Sequence, residues 1–528
     1  MKRIYFTLIV LLAAMLGMAY LYFSRLNRES AYNEISLNAA TANSGLIFCM
    51  QNDRSIFEIL KGQELFRQLL GDQKFNDFNQ LKEKIIASPA INTLIANQNI
   101  YFSFLGGKNK EIDYLISTQL NNEDSQTALT EALKAGGMTI KTTGSITQLS
   151  LNDSTHFYMA IDKNLLLLSN QPAPVQLASK TNLAESNKDF TAYIKSNNTL
   201  NKNSVGNLFI DFAKLPLLLK SVLPGALNGN LSILAHQQSF AALNYNFSQK
   251  KLFFSGSSKV SDPKSYLNLF SALTPEKNSI DNLLPASTAN FTLYAIPSYK
   301  TWRISLNKWF ELNKEDKKIK KIITGVNTSY YLNTDDIFPV YFKNQLITFQ
   351  LKSSEDLGAI NLSNGDKVKQ LLLDISQDYD QDIKSFKVAG LLYSYFGEPF
   401  KKFSRPYYTI IDNNLIFANN PSTLQVFLNA YKNNKLLITT AEYADLYTQA
   451  SNSASVTFYA NHRNSADLAR HNLYLPFYRH FLADKGLGIF SAVIYQLNGD
   501  KGIFLTNFLI NTKAAPLENT TDDEILAN

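Results

Sequence analysis

Several segments of this 528-residue chain recur in the same order about 250 residues further on. The clearest pair is 157–170, FYMAIDKNLLLLSN, and 407–420, YYTIIDNNLIFANN, and both copies continue into a Pro-led helix. Residues 240–245 (FAALNY) and 490–495 (FSAVIY) repeat at the same offset. Collinear matches at a nearly constant offset indicate a duplication. We therefore predict two tandem homologous units.

Two further matches keep this order. Residues 37–43 (LNAATAN) correspond to 284–290 (LPASTAN), and residues 205–212 correspond to 456–461. We interpret the A-x-T-A-N motifs that start at Ala39 and Ala286 as belonging to the opening strand of each unit.

Apolar periodicity and turn residues predict the same kinds of elements in each unit. The opening strands are 45–50 and 291–296, and amphipathic helices at 55–70 and 301–312 follow them. Hairpin turns are predicted at Gly106-Gly107, at Asp162-Lys163-Asn164 and its counterpart at Asp412, between 247 and 251, and at Asn498-Gly499. Strands joined by short turns and interrupted by helices indicate a mainly antiparallel sheet with helices on one face, which is the α+β class.

The length of the chain also favours more than one core, because single hydrophobic cores stop growing below this size. We place repeat unit 1 at 35–262 and repeat unit 2 at 284–512. A linker helix and loop at 263–283 join them, with an amphipathic pattern over 263–273. Residues 513–528 are acidic and poor in apolar side chains, so we predict a disordered tail.

Residues 4–23 carry no charge, and about 30 Å of helix from such a stretch crosses a bilayer once. We predict a single-pass anchor in a bacterial inner membrane, with residues 1–3 as a cytoplasmic n-region and the body in the periplasm. A cleaved signal peptide is the alternative, because Gly17-Met18-Ala19 is a small-x-small site. The apolar run continues past that site through Tyr20 and Tyr22, which favours the anchor.

The chemistry-bearing residues exclude several classes of site. Cys49 is the only cysteine, so no intramolecular disulfide and no thiolate zinc site can form, and its apolar neighbours predict a buried thiol. The net charge of +7 comes without a long basic block, which argues against nucleic acid as a partner.

Two clusters have the spacing of metal ligands only in part. Successive members of the set His462, His471 and His480 fall on opposite faces of a helix. The motif at Asp378, Asp380 and Asp382 lacks the glycine and glutamate of a calcium-binding loop. Nucleotide-binding loops and nucleophile elbows are missing from the sequence as well. We predict no cofactor, no metal and no enzymatic activity.

Two short basic clusters are the candidate interaction sites. They comprise Lys317, Lys318, Lys320 and Lys321 in one segment and Lys401, Lys402 and Arg405 in another. The first cluster could meet anionic lipid headgroups or an acidic partner, with a solvated helix face as the alternative. The second interleaves with Phe400 and Phe403, which is typical of an interaction patch.

With the anchor, the A-x-T-A-N motifs and the hairpins around Asp162 and Asp412, the chain resembles a family of bacterial membrane-anchored exported proteins defined by a domain of unknown function. The strand at Leu208-Phe209-Ile210-Asp211 belongs to the same likeness, which covers most of 35–512. The resemblance implies architecture and location, and it implies no catalytic residue and no ligand.

These observations favour a non-enzymatic, membrane-anchored envelope protein that binds or scaffolds another envelope protein. The first alternative is a carrier or sensor of an apolar ligand or lipid, with a groove between aromatic-lined sheets. The second alternative is a periplasmic hydrolase, which requires a pocket that holds carboxylates with shifted pKa values.

Overall fold

The computed structural model describes residues 35–52, 64–86, 88–122, 125–152, 155–180, 183, 186–197, 205–225, 238–246, 248 and 250–513. The predicted anchor at 4–23, most of the helix at 55–70 and the acidic tail after 513 lie outside these residues. None of the described helices is long and apolar enough to span a bilayer. The chain is a mixed α+β protein with a large antiparallel sheet.

The chain divides into two compact units. Unit 1 takes in residues up to 247, 254–262 and 472–474, and unit 2 takes in 248–253, 263–471 and the residues from 475 onward. Each unit has its own hydrophobic core.

The strands up to residue 260 form one antiparallel series. They are β1 Leu46–Gln51, β2 Asn99–Gly106, β3 Ile112–Gln119, β4 Thr139–Thr143, β5 Ile146–Ser150, β6 His156–Asp162, β7 Leu165–Ser169, β8 Asn207–Asp211, β9 Ser239–Asn246 and β10 Lys251–Val260. Their order across the sheet is β4-β5-β6-β7-β3-β2-β1-β8-β9-β10.

The helices of unit 1 cover both faces of this sheet. They are α1 at 35–43, α2 Glu64–Leu70, α3 Asp72–Leu81, α4 Pro89–Leu94, α5 Ser125–Ala135, α6 Pro172–Lys180, α7 Lys188–Asn197 and α8 Leu215–Leu219. Met50 and Leu129 of α5 share one core cluster, whereas Cys49 and Phe190 of α7 share another. Neighbouring residues of β1 therefore point into different cores, and the expectation of helices on one face is wrong.

The strands of unit 2 repeat this arrangement with one addition. They are β11 Glu276–Lys277, β12 Thr288–Ala295, β13 Phe342–Leu351, β14 Asp356–Leu362, β15 Ser376–Asp378, β16 Lys384–Phe386, β17 Tyr407–Ile411, β18 Asn414–Ala418, β19 Ser453–Ala454, β20 Val456–Asn461, β21 Phe490–Asp500 and β22 Ile503–Thr512. The order is β15-β16-β17-β18-β14-β13-β12-β20-β21-β22. β11 and β19 form a separate two-stranded sheet.

The helices of unit 2 also pack on both faces. They are α9 Tyr299–Leu312, α10 Asp316–Tyr330, α11 Phe338–Tyr341, α12 Gly365–Leu371, α13 Leu391–Phe396, α14 Pro421–Lys432, α15 Ala441–Gln449, α16 Ala466–Asn472 and α17 Leu475–Leu482. Phe291 of β12 joins a core with Phe427 of α14. Tyr294, on the other face of β12, contacts the rings of Tyr266 and Phe270.

Three predictions about local structure are wrong. Residues 37–43 were predicted to open the first strand, but they lie in helix α1. The matching segment does lead into a strand, which begins at Thr288. There Pro285 starts a turn in which the Thr288 hydroxyl donates to the Pro285 carbonyl. The predicted helix over 263–273 is a short 3-10 helix, Tyr266–Phe270. The last hairpin turns at Lys501 and Gly502, which have positive φ, and Gly499 lies inside β21.

The remaining described hairpins are confirmed. Strands β2 and β3 pair across Gly106-Gly107, and β6 and β7 pair across Lys163 and Asn164. In the matching hairpin the turn residues are Asp412 and Asn413, one position earlier in the repeat. Both have positive φ, as a tight two-residue hairpin turn requires.

Candidate functional site

The candidate site is built on the helix pair α9 and α10 of unit 2. α9 is held to the body by a row of buried side chains, Trp302, Leu306, Trp309 and Phe310. Ser298 caps its N-terminus, where its hydroxyl accepts from the Thr301 amide. α10 buries only Ile319 and Val326, so most of its circumference faces solvent.

Helix geometry places the first basic cluster opposite the buried strip of α10. At about 100° per residue, Lys317, Lys321 and Thr324 share one face, and Ile319 and Val326 share the opposite one. Lys317, Lys320 and Lys321 are exposed. With Thr324 and Gly325 they line an open depression of about 460 Å³. We call this set, with Thr328, the lysine face.

The three lysines of the lysine face are not held in ion pairs. Within the described residues, the ammonium groups of Lys317, Lys320 and Lys321 have no ion pair with a carboxylate. Lys317 is three residues from Lys320 and four from Lys321, and like charges at these spacings repel on a helix. A solute with negative charge would relieve this repulsion.

The structure brings together one lysine from each predicted cluster. Lys318 Nζ lies 3.3 Å from a carboxylate oxygen of Glu315, and Lys401 Nζ lies 3.8 Å from the other oxygen. Both ammonium groups stand over the ring of Tyr393, at 6.0 and 5.7 Å from its centroid. Burial, with the nearby Glu315 and Glu398, raises the pKa of Tyr393. These two lysines are therefore tied into the fold.

The other two predicted residues, Lys402 and Arg405, have different surroundings. Lys402 Nζ is 2.7 Å from an Asp356 oxygen, and both side chains are half-buried, so this pair is structural. Arg405 is exposed. Of the seven predicted residues, only Lys317, Lys320 and Lys321 form a common surface with free charge.

Two residues of this region escaped prediction. Gly325 lies inside α10, and a Cβ added there would meet no atom within 4 Å. Tyr331 follows α10 with a φ of 52° and is 97% exposed. Both residues are unfavourable where they stand, because glycine is a poor helix former and tyrosine is strained in the left-handed region. A glycine inside a helical pattern was the available signal for the first of them.

Unit 2 also contains a buried carboxyl group. The Tyr443 hydroxyl donates to Asp281 Oδ2 at 2.6 Å, and Asp281 Oδ1 has no partner among the described residues. Burial raises the pKa of Asp281, although the hydrogen bond from Tyr443 opposes the shift. This carboxyl lies in the core and lines neither the depression on α10 nor the one beside the turn at Asp412.

The second depression, of about 380 Å³, is open and lies beside the turn at Asp412. The Tyr431 hydroxyl donates to Asp412 Oδ2 at 2.6 Å, and the Asn414 amide donates to the Asp412 carbonyl. The polar groups of the turn therefore bond to the protein itself.

The residues considered for metal or thiol chemistry also have local partners. Asp378 pairs with Lys384, Asp382 pairs with Lys432, and the Asp380 carboxylate accepts from two backbone amides. The described residues contain no group of three or more potential ligands arranged for a metal ion. Burial raises the pKa of the Cys49 thiol to about 12, so the thiolate is disfavoured.

Fold and site together define a mixed α+β protein that presents one basic helix face to solvent. Comparison of the chain with known protein families, curated proteins and solved structures finds no match.

Proposed function

We propose that the protein is a non-enzymatic binding platform of the bacterial cell envelope, and that the lysine face of α10 contacts an anionic partner. Residues 4–23 anchor the chain in the inner membrane, and the body lies in the periplasm. The observation that carries this proposal is one exposed face of α10 with three lysines, Lys317, Lys320 and Lys321, that have no ion pair within the described residues.

Several residues of α10 cost stability, which supports a role for this helix other than stabilising the fold. Each close pair of lysines costs roughly 0.2–0.5 kcal/mol in an isolated helix. Lys317 also lies in the first turn, where the helix dipole disfavours positive charge. Gly325 and Tyr331 add further costs at the same helix. Several unfavourable choices on one element are expected where function and stability conflict.

The body suits a platform because its two units repeat one architecture. β1 lies between β2 and β8, as β12 lies between β13 and β20. The hairpin β6–β7 joins β3 as β17–β18 joins β14. We propose that the units are tandem homologues, as the collinear sequence matches suggest. The resemblance to anchored exported proteins agrees with this reading.

Site-specific photo-crosslinking tests the proposed function. A crosslinking amino acid replaces Thr324 in the full chain, in its native envelope, and the matched control replaces Lys369 on the exposed side of α12. We expect crosslinked products, with lipid or with protein, from position 324 only. Loss of crosslinking in K317E/K320E/K321E would show that it depends on the positive charge of the lysine face. Equal crosslinking from both positions would contradict the proposal.

A further inference from the structure

The chemistry of the lysine face identifies the class of its partner, an inference that rests on the proposed function. We infer that this face docks on the surface of an anionic phospholipid bilayer. Lys317, Lys320 and Lys321 would lie among phosphate headgroups, and the exposed end of α10 would meet the interface.

The basic residues themselves favour phosphate headgroups over an acidic protein. All three are lysines, and no arginine lies on α10. Protein interfaces are enriched in arginine and depleted in lysine. Lysine is a flexible point charge without the rigid fork of arginine, so it suits headgroups that are mobile and have no fixed register.

The rest of the face has no side chain that fits the pocket of a protein partner. Thr324, Gly325 and Thr328 are small and exposed, whereas protein interfaces draw most of their affinity from buried aromatic and arginine anchors. A smooth helix face lets the backbone approach a flat surface closely. Tyr331, 97% exposed at the end of α10, has the amphipathic ring that is enriched at the headgroup level of bilayers.

The neighbouring helix α9 also exposes apolar side chains. Ile304 is 57% exposed and Leu312 is 47% exposed, and Lys308 lies between them at helical spacing. Aliphatic side chains mixed with lysines are typical of helices that rest in the interfacial region of a membrane. The side-chain heads of such lysines reach the headgroups while their methylene stems stay on apolar surface.

A tether makes weak contacts of this kind sufficient. If residues 4–23 hold the chain at the bilayer, docking is intramolecular and its effective concentration is high. A lysine close to an anionic surface contributes about fivefold in binding, so the three together contribute roughly a hundredfold.

The test measures the depth of α10 in nanodiscs that contain the full chain. T324C carries a nitroxide spin label, and buried Cys49 serves as the unreactive background. Collision with a water-soluble relaxation agent is compared in discs of phosphatidylcholine alone and discs that contain phosphatidylglycerol. We expect at least a severalfold drop in accessibility with phosphatidylglycerol, reversed by high salt. A label on K369C should not respond to lipid charge.

Charge variants complete the test. K317E/K320E/K321E should abolish the lipid response, whereas K352E/K367E/K369E, which changes three other exposed lysines of unit 2, should preserve it. Equal accessibility in both lipids overturns the inference. A protein crosslink from position 324 combined with that result leaves the proposed function intact and assigns the face to an acidic protein. If neither a lipid response nor a protein crosslink is found, the inference and the proposed function are both contradicted.

Discussion

Asp281 is a residue whose burial has a testable consequence for pH. The carboxyl is 2% exposed, one of its oxygens has no partner in the described residues, and burial raises its pKa. Between the unfolded and folded pKa values, the unfolded state binds fewer protons than the folded state. The free energy of unfolding therefore falls as pH rises through this window.

Asp281→Asn removes the buried charge and keeps an oxygen that can accept from Tyr443. We expect this variant to flatten the pH dependence of the free energy of unfolding, because an amide does not titrate in this window. Urea unfolding at several pH values, followed by tryptophan fluorescence, measures this dependence in unit 2. A variant that keeps the pH dependence of the native chain would show that Asp281 is not its source.

Two residues near the lysine face should be easy to stabilise. Gly325→Ala should raise the free energy of unfolding by about 0.5–1 kcal/mol, because its added methyl group meets open space. Tyr331→Gly should be neutral or stabilising, because glycine tolerates the positive φ. Thermal unfolding of both variants measures this. Clear destabilisation by Gly325→Ala would contradict the open space around this position, and clear destabilisation by Tyr331→Gly would show that the Tyr331 ring has a structural role.

Single residues differ in how well sequence predicts them. The burial of Cys49 follows from its apolar neighbours and is confirmed. Which lysines are paired and which are free could not be predicted, because the carboxylate of Glu315 meets Lys401 only after distant segments pack together. The exposure of Tyr331 likewise depends on the left-handed end of α10.

Among the elements, the hairpin β21–β22 separates two roles of glycine. A Cβ on Gly499 would meet the carbonyl oxygens of Phe270 and Leu273, whereas Gly502 has open space but a φ of 93°. We expect Gly499→Ala to cost roughly 1–3 kcal/mol through displaced backbone. Gly502→Ala should cost about 1 kcal/mol through strain. Urea midpoints of the two variants compare the effects, and the reverse ranking would contradict the packing argument.

The same hairpin shows why turn signals sometimes mislead. Asn-Gly is the strongest short hairpin signal, yet Asn498 and Gly499 lie in β21 because Gly499 is needed for close backbone approach. Helix α9 was predicted within two residues of its N-terminal bound, since its apolar spacing is a local feature. The strand prediction for residues 37–43 is wrong because the surrounding structure, and not the local sequence, decides their conformation.

At the scale of the molecule, both tryptophans report on unit 2. Trp302 and Trp309 lie in α9. Leu424→Ala in the core of unit 2 should lower the stability seen by tryptophan fluorescence by about 2–5 kcal/mol. Leu129→Ala in the core of unit 1 should move this signal less. Equal shifts would show that the two units unfold as one.

Sequence predicted the α+β class because turns and strand patterns are local, and it missed the second helical layer. The signal was present in β7, Leu165–Ser169, which is apolar at successive positions and buried throughout. Such strands have both faces covered. The lysine face was only half predictable, because its charges are visible in sequence but their lack of partners is a property of the folded chain.

A lysine face that binds an anionic partner is covered in the native envelope. The direct measurement is the rate at which a bulky, water-soluble maleimide modifies T324C in intact envelopes and in detergent solution, with K369C as the control. We expect strong protection of T324C in envelopes, lost in detergent and in K317E/K320E/K321E, while K369C reacts alike in envelopes and in detergent. Equal rates for T324C in envelopes and in detergent would contradict it.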